Sequence, residues 1–360
     1  MRVHYFLIFT IFVSAPLSST SDPLVGFCWV SAPLSDLTLF EEGFYTAHHL
    51  GCQIEHRQFN WNDIERDRGV YNWSNVDQWY NTCLKYGIVP SLAVCPVNSN
   101  SQIRNVPRDL QGMPFDDCDL ILRLNQFTHL LLERYPEIAY LSFGNEINYY
   151  LRSHPGDVLP YLELCQHMYE YMKENYPHIP VLVIVGFTGM IKEEEEMISN
   201  FLPACDLVGI STYHACIALE SLTPPRLTEQ EMREGFEYCI NLCNGKRFCV
   251  VETCAFSYPD PGYQVMYIHV FFDVIREHKE DMEFACWFGT YDWCPGTLTM
   301  MDPFLEQFNT AGLLSPDGTP KASYYAWMEE MSHSGIVRES PHRFLAAVFV
   351  VVIVIILLKI

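Results

Sequence analysis

A single-domain (β/α)8 barrel is the fold class that this 360-residue sequence predicts. Three observations lead there. Short apolar runs rich in Val, Ile, Leu, Phe and Cys alternate with longer helical stretches, the mark of an α/β fold with a parallel sheet. There are eight such runs, which suits a closed barrel. The first run continues Gly26-Phe27-Cys28-Trp29-Val30-Ser31, without the glycine-rich phosphate loop that follows the first strand of a doubly wound open sheet.

The predicted strands, in order, are Leu24–Val30, Cys52–Phe59, Ile88–Val94, Ile138–Phe143, Val181–Gly186, Leu207–Thr212, Phe248–Val251 and Glu283–Phe288. Their apolar runs are nearly continuous because a parallel strand is covered on both faces. Between them, Asp119–Tyr135 carries Leu122, Leu124, Phe127, Leu130 and Leu131 at helical spacing. Val158–Tyr176 and Glu229–Cys243 read the same way. No linker or low-complexity tract divides the middle of the chain.

The two ends read differently. A basic start, an apolar run from Tyr5 to Val13 and the small residues Ser14 to Ser21 form a signal-peptide pattern, assigned to residues 1–20. Residues 21–333 form the predicted barrel. Residues 334–360 contain a polar spacer and the apolar run Phe344–Leu358. Small residues, spacer and short tail match a GPI-anchor signal, with a single C-terminal membrane span as the alternative. The expected location is the extracellular face of the cell membrane, tethered through the C-terminus.

Acidic residues outnumber basic ones 44 to 22, giving a net charge of −22. No basic stripe appears, which excludes nucleic acid as an expected partner. Fourteen cysteines behind a signal peptide predict several disulfides. Cys239-x3-Cys243 and Cys249-x4-Cys254 lack zinc-site spacing, so no metal or cofactor is expected. Asn72-Trp73-Ser74 is an N-glycosylation sequon in a predicted loop.

Chemistry on such a barrel sits at the C-terminal ends of the strands. Strand four runs into Gly144-Asn145-Glu146, and strand seven into Val250-Val251-Glu252. Cleaving a glycosidic bond needs two carboxyl groups flanking it, one to protonate the leaving oxygen and one to attack or stabilise the oxocarbenium-like centre. Glu146 and Glu252 are the candidate catalytic pair. Trp287 in strand eight and Trp29 at the end of strand one are candidate sugar-stacking platforms. Trp61, Trp293, Tyr149, Tyr150 and Tyr291 are further aromatics in predicted rim loops. Asp63, Glu65 and Asp292 read as solvated loop charges, with further polar contacts to a sugar as the alternative.

Gly144-Asn145-Glu146-Ile147 and Val250-Val251-Glu252-Thr253 resemble the acid/base and nucleophile motifs of clan A glycoside hydrolases, loosely closest to the arabinogalactan endo-β-1,4-galactanase-like group. Phe59-Asn60-Trp61-Asn62-Asp63-Ile64-Glu65 and Gly312-Leu313-Leu314-Ser315-Pro316-Asp317-Gly318 extend the resemblance over roughly Leu24 to Met331. The text around strands one and two departs from the galactanase pattern. The resemblance implies a retaining enzyme acting on β-linked oligo- or polysaccharides, with Glu146 as acid/base and Glu252 as nucleophile. It also implies that Asn145 bonds the sugar 2-hydroxyl, that Arg57 holds Glu252 ionised, and that Tyr213 donates a hydrogen bond to the nucleophile. Neighbouring His214 reads as structural. A catalytically inactive carbohydrate-binding protein on the same barrel is the alternative. Surviving catalysis distinguishes the two.

Overall fold

A computed structural model describes residues 22–98, 103–187, 192–213, 227–298 and 303–333. Eight parallel strands close into a barrel: β1 (Leu24–Cys28), β2 (Ile54–Asn60), β3 (Val89–Cys95), β4 (Tyr140–Phe143), β5 (Val181–Phe187), β6 (Leu207–Thr212), β7 (Phe248–Thr253) and β8 (Met282–Phe288). Each pairs with its neighbours in sequence, and β8 returns to β1 through Leu24↔Phe284 to Cys28↔Phe288. Every predicted strand is present, with ends displaced by up to two residues.

An outer layer of helices covers the barrel: α1 (Phe40–His49), α2 (Ser74–Lys85), α3 (Cys118–Arg134), α4 (Val158–Asn175), α5 (Lys192–Phe201), α6 (Glu229–Leu242), α7 (Pro261–Glu277) and α8 (Ala322–His333). The sequence explains where several of them start. Asp117 and Asp260 accept backbone N–H bonds at the starts of α3 and α7. Thr228 and Glu231 form a reciprocal capping box on α6.

Alternation along the strands builds two cores. Cys28, Ile54, Ala93, Ile184, Val251 and Phe284 fill the barrel interior. Residues of opposite parity, such as Phe27, Leu92, Val183, Val250 and Trp287, pack outward against the helices. Gly26 shows how tightly the strands approach: a Cβ there would lie 1.8 Å from the Ile54 carbonyl oxygen.

The expected disulfides are not formed among the described residues. Cys28, Cys249 and Cys286 are single buried thiols inside the barrel, and Cys239 and Cys243 are free thiols one turn apart on and just beyond α6. Most of these cysteines serve as small apolar core residues, a role that cysteine fills as readily as cross-linking. The segments assigned to signal peptide and anchor, and His214, lie outside the described residues. Asn72 is exposed immediately before α2. Its side-chain oxygen accepts from the Ser74 amide and hydroxyl at 3.2 and 2.5 Å.

Candidate active site

Both predicted carboxylates lie at the C-terminal mouth of the barrel, and local backbone irregularities aim them. Gly144 follows β4 with φ +126°, where a side chain is strained and where a Cβ would lie 2.5 Å from the Tyr161 hydroxyl. Tyr161 donates to the Phe143 carbonyl at 2.8 Å and holds the turn against α4. Glu146 itself is left-handed, at φ 47° and ψ 45°, and begins the short helix Ile147–Ser153.

Glu252 reaches the mouth through a bulge. Cys249 and Val251 face the barrel interior, so strict alternation would turn Glu252 outward. The register shifts instead: Val250 is opposite Ile210, whereas Glu252 is opposite Ser211. On the other edge, Val250 is opposite Ala285 and Thr253 opposite Trp287, again with a shift between them. Val250 and Thr253 therefore point outward, and the two residues between them both point in. Re-aiming one side chain is what a β-bulge does. Thr253 anchors the outward side, donating to the Thr212 carbonyl at 2.7 Å and lying 2.6 Å from the Tyr267 hydroxyl of α7.

Ser211 ties the pair together. Its hydroxyl donates to Glu146 Oε1 at 2.7 Å, while its backbone is paired in register with Glu252. Glu252 accepts from the Tyr213 hydroxyl on one oxygen and from Gln58 Nε2, at 3.0 Å, on the other. Glu146 is 8% and Glu252 7% exposed. Burial and the facing charge of Glu146 push the Glu252 carboxyl up to about 8, while the bonds from Tyr213 and Gln58 pull it down. Two facing carboxyls of this kind titrate as a unit.

Arg57 does not hold Glu252. On β2, Ile54 and His56 face the interior, His56 stacking on Phe284. Gln58 continues that face, and Glu55 and Arg57 lie on the other. Arg57 pairs with Glu55 through Nε at 2.9 Å and Nη2 at 2.5 Å, and its guanidinium lies 4.9 Å from the Trp29 ring centroid. Glu55 also accepts from Trp79 of α2 and from the Val30 amide. The predicted cation was thus misplaced by one step of the strand period. Gln58 and Ser211 were missed. Ser211 is a polar residue on the interior face of an otherwise apolar strand, a signal that could have found it, whereas Gln58 sits in the polar run Glu55–Gln58, where only alternation from Ile54 marks it as interior.

Parity also removes Trp287 from the predicted sugar site. It is 0% exposed, donates to the Ala311 carbonyl at 2.9 Å, and packs edge-on against Tyr267, Phe271 and Trp327. Its neighbour Phe288 is the β8 aromatic at the mouth. Phe288 stacks on Trp293 at 5.1 Å and meets Tyr213 edge-on at 6.1 Å. Trp29 packs partly exposed against the top of the interior core. Asn145 is 2% exposed, and its side-chain oxygen has no hydrogen-bond partner among the described residues. Trp61, Tyr150 and Tyr291 are buried rather than on the rim. Glu65, read from sequence as solvated, is buried against Arg123 at 2.7 Å. Asp292 is likewise buried and pairs with Lys321 at 2.8 Å.

No family model matches the chain, and no curated protein sequence does. Solved structures do. Exo-β-1,4-mannosidase Op5Man5 from Opitutaceae bacterium strain TAV5 aligns with TM-score 0.66 at 14% identity, over 87% of this chain and 59% of that one. A GH5_18 enzyme from Bifidobacterium longum, solved with Manβ1-4GlcNAc, aligns with TM-score 0.66 at 14% identity, over 89% and 80% of the two chains. A family 39 glycoside hydrolase from Bacteroides cellulosilyticus WH2 gives 0.61 at 18% identity, over 87% and 64%. This chain spans less than two thirds of the first and third of these. The likeness is one of fold: the chain has the (β/α)8 barrel seen in family 5 and family 39 glycoside hydrolases.

Proposed function

We propose that this protein is a retaining glycoside hydrolase acting on β-linked glycans, with Glu252 as nucleophile and Glu146 as acid/base. The observation that carries the reading is the buried pair of carboxylates after β4 and β7, each held by its own hydroxyl donor. A double displacement needs one anion and one acid at the same pH. Burial and mutual repulsion supply that state, because both groups cannot be charged together. The donors decide where the anion sits. Tyr213 and Gln58 both donate to Glu252 and pull its carboxyl down against burial and Glu146, so its charged, attacking form gains population as pH rises toward about 8. Glu146 then protonates the leaving oxygen and later deprotonates the water that releases the sugar. Asn145, with a buried unpartnered oxygen beside Glu146, is suited to accept from a sugar hydroxyl. Trp29 and the Phe288–Trp293 pair offer ring faces for the pyranose.

Hydrolysis of a panel of aryl β-glycosides and β-linked polysaccharides tests the reading. Wild type is expected to turn over at least one substrate. Glu252→Ala is expected to lose that activity by a factor of a thousand or more, on the order expected for loss of a catalytic group, and to regain turnover with azide as the α-glycosyl azide. Sugar binding without turnover would leave the carbohydrate-binding alternative standing.

A further inference from the structure

We propose that Gln58 is a positioning residue for the nucleophile, taking on this barrel the place that a cationic side chain was expected to fill. The inference rests on the assignment of Glu252 as nucleophile. Gln58 is the last interior-facing residue of β2 before Asn60, one pleat above His56, and its Nε2 lies 3.0 Å from Glu252 Oε2. The other carboxylate oxygen takes the Tyr213 hydroxyl. The two donors approach from β2 and from the end of β6, on opposite sides of β7 around the barrel, so together they fix the plane of the carboxylate. A carboxylate gripped by one donor keeps a free torsion about its last bond. One gripped on both oxygens does not.

The guanidinium that could have taken this place is committed elsewhere. Arg57 spends its Nε and Nη2 donors on buried Glu55, and Nη2 also approaches the Val30 carbonyl at 3.4 Å. Moving it to the mouth would leave Glu55 charged and uncompensated beneath α2, a costly arrangement.

The titratable groups that bear on Glu252 come from several strands. Glu146 after β4 is the facing carboxyl, and any charge on it opposes ionisation of Glu252. Tyr213 after β6, Cys28 on β1 and Cys95 on β3 are held neutral by burial, with Cys95 pushed up to about 12. His56 on β2 is also neutral, its imidazole pushed down to about 3 by burial. Among the described residues, Glu252 is therefore held by neutral donors and faced by one other carboxyl. Its ionisation is then unusually dependent on the amide of Gln58. A donor to the charged form lowers a carboxyl pKa, and removing it raises that pKa.

The test is the pH profile of kcat/KM, whose acid limb reports ionisation of the free-enzyme nucleophile, measured with an aryl β-glycoside that wild type cleaves. Gln58→Leu should move the acid limb up by about one pH unit, with roughly tenfold lower kcat/KM on that limb and a lesser loss on the plateau. Gln58→Asn, retaining the donor on a shorter arm, should recover part of the shift. Gln58→Arg should move the limb down, below wild type. Circular dichroism and melting of each variant separate misfolding from mispositioning, and Gln58→Arg remains informative if Gln58→Leu fails to fold. Unchanged limbs in folded variants would overturn the inference while leaving the glycosidase reading intact. An inactive wild type with inert Glu252 would overturn the reading itself.

Discussion

At the residue scale, the site stores free energy against its own fold. Glu252 is ionised readily in an unfolded chain, near the usual carboxylate pKa of about 4, but burial and Glu146 raise it to about 8 in the folded barrel. The native state therefore holds its proton more tightly. The stability from that proton is full below the unfolded value and is lost as pH rises through the folded one. Glu252→Gln, which mimics the neutral acid, should melt higher than wild type, with a gap that widens from pH 4 and is complete above pH 8. Calorimetry across that range checks it, and a gap that shrinks with pH would contradict the proposed environment. The adjacent β8 aromatics Trp287 and Phe288 should separate just as clearly. Trp287→Ala removes a ring buried between β8, α7 and α8 and should cost about 3–5 kcal/mol of stability. Phe288→Ala should instead weaken substrate binding with a smaller loss of stability, visible as a raised KM.

At the element scale, irregular backbone does what ideal strands cannot. Seven of the eight barrel strands were legible as apolar runs, because burial on both faces leaves little else that they could be, while β2 is largely polar and was legible mainly from its place in the alternation of strands and helices. The two glutamates were legible from their places after β4 and β7. Side-chain direction was not. Arg57 and Gln58 differ by a single residue, and so do Trp287 and Phe288; neither the polar run Glu55–Gln58 nor the apolar run Phe284–Phe288 carries a mark of which parity faces in. The bulge at Val251–Glu252 was also invisible, since nothing in Val-Val-Glu-Thr announces an extra residue. The turn after β4 offers a direct test. Gly144→Ala adds a Cβ 2.5 Å from Tyr161 Oη and 2.6 Å from Ile147 Cγ2 at a positive φ. About 1–3 kcal/mol of strain is expected from the backbone alone, with a larger fractional loss of kcat than of stability because Glu146 rides on that turn. Wild-type activity in that variant would show that the turn does not aim the acid.

At the scale of the whole molecule, cohesion comes from packing rather than from cross-links. A native disulfide in a small domain typically contributes about 2–5 kcal/mol, so a strong reductant would lower the melting temperature if several were present. With the described cysteines present as separate thiols, most of them buried, millimolar reductant should leave the melting temperature of residues 21–333 unchanged. A drop of several degrees would show that pairing occurs after all. The ends of the chain carry a separate expectation. If Phe344–Leu358 belongs to a GPI signal, a phosphatidylinositol-specific phospholipase should release the protein from intact cells. Retention would favour a membrane span.

The distribution of tryptophan has an optical consequence. Of the seven, Trp61, Trp79, Trp287 and Trp327 are sealed in the core, and Trp73, partly exposed, packs against Tyr71 and Phe127 beside α3, away from the barrel mouth. Trp29 and Trp293 are the two that meet solvent at the barrel mouth. Their indoles emit at longer wavelength than the dry majority, so a saccharide seated over the carboxylates should quench or blue-shift the red edge of the spectrum and leave the rest in place. Titrating a catalytically silenced variant with candidate oligosaccharides, and following that edge alone, turns the protein into its own ligand detector before any substrate is known.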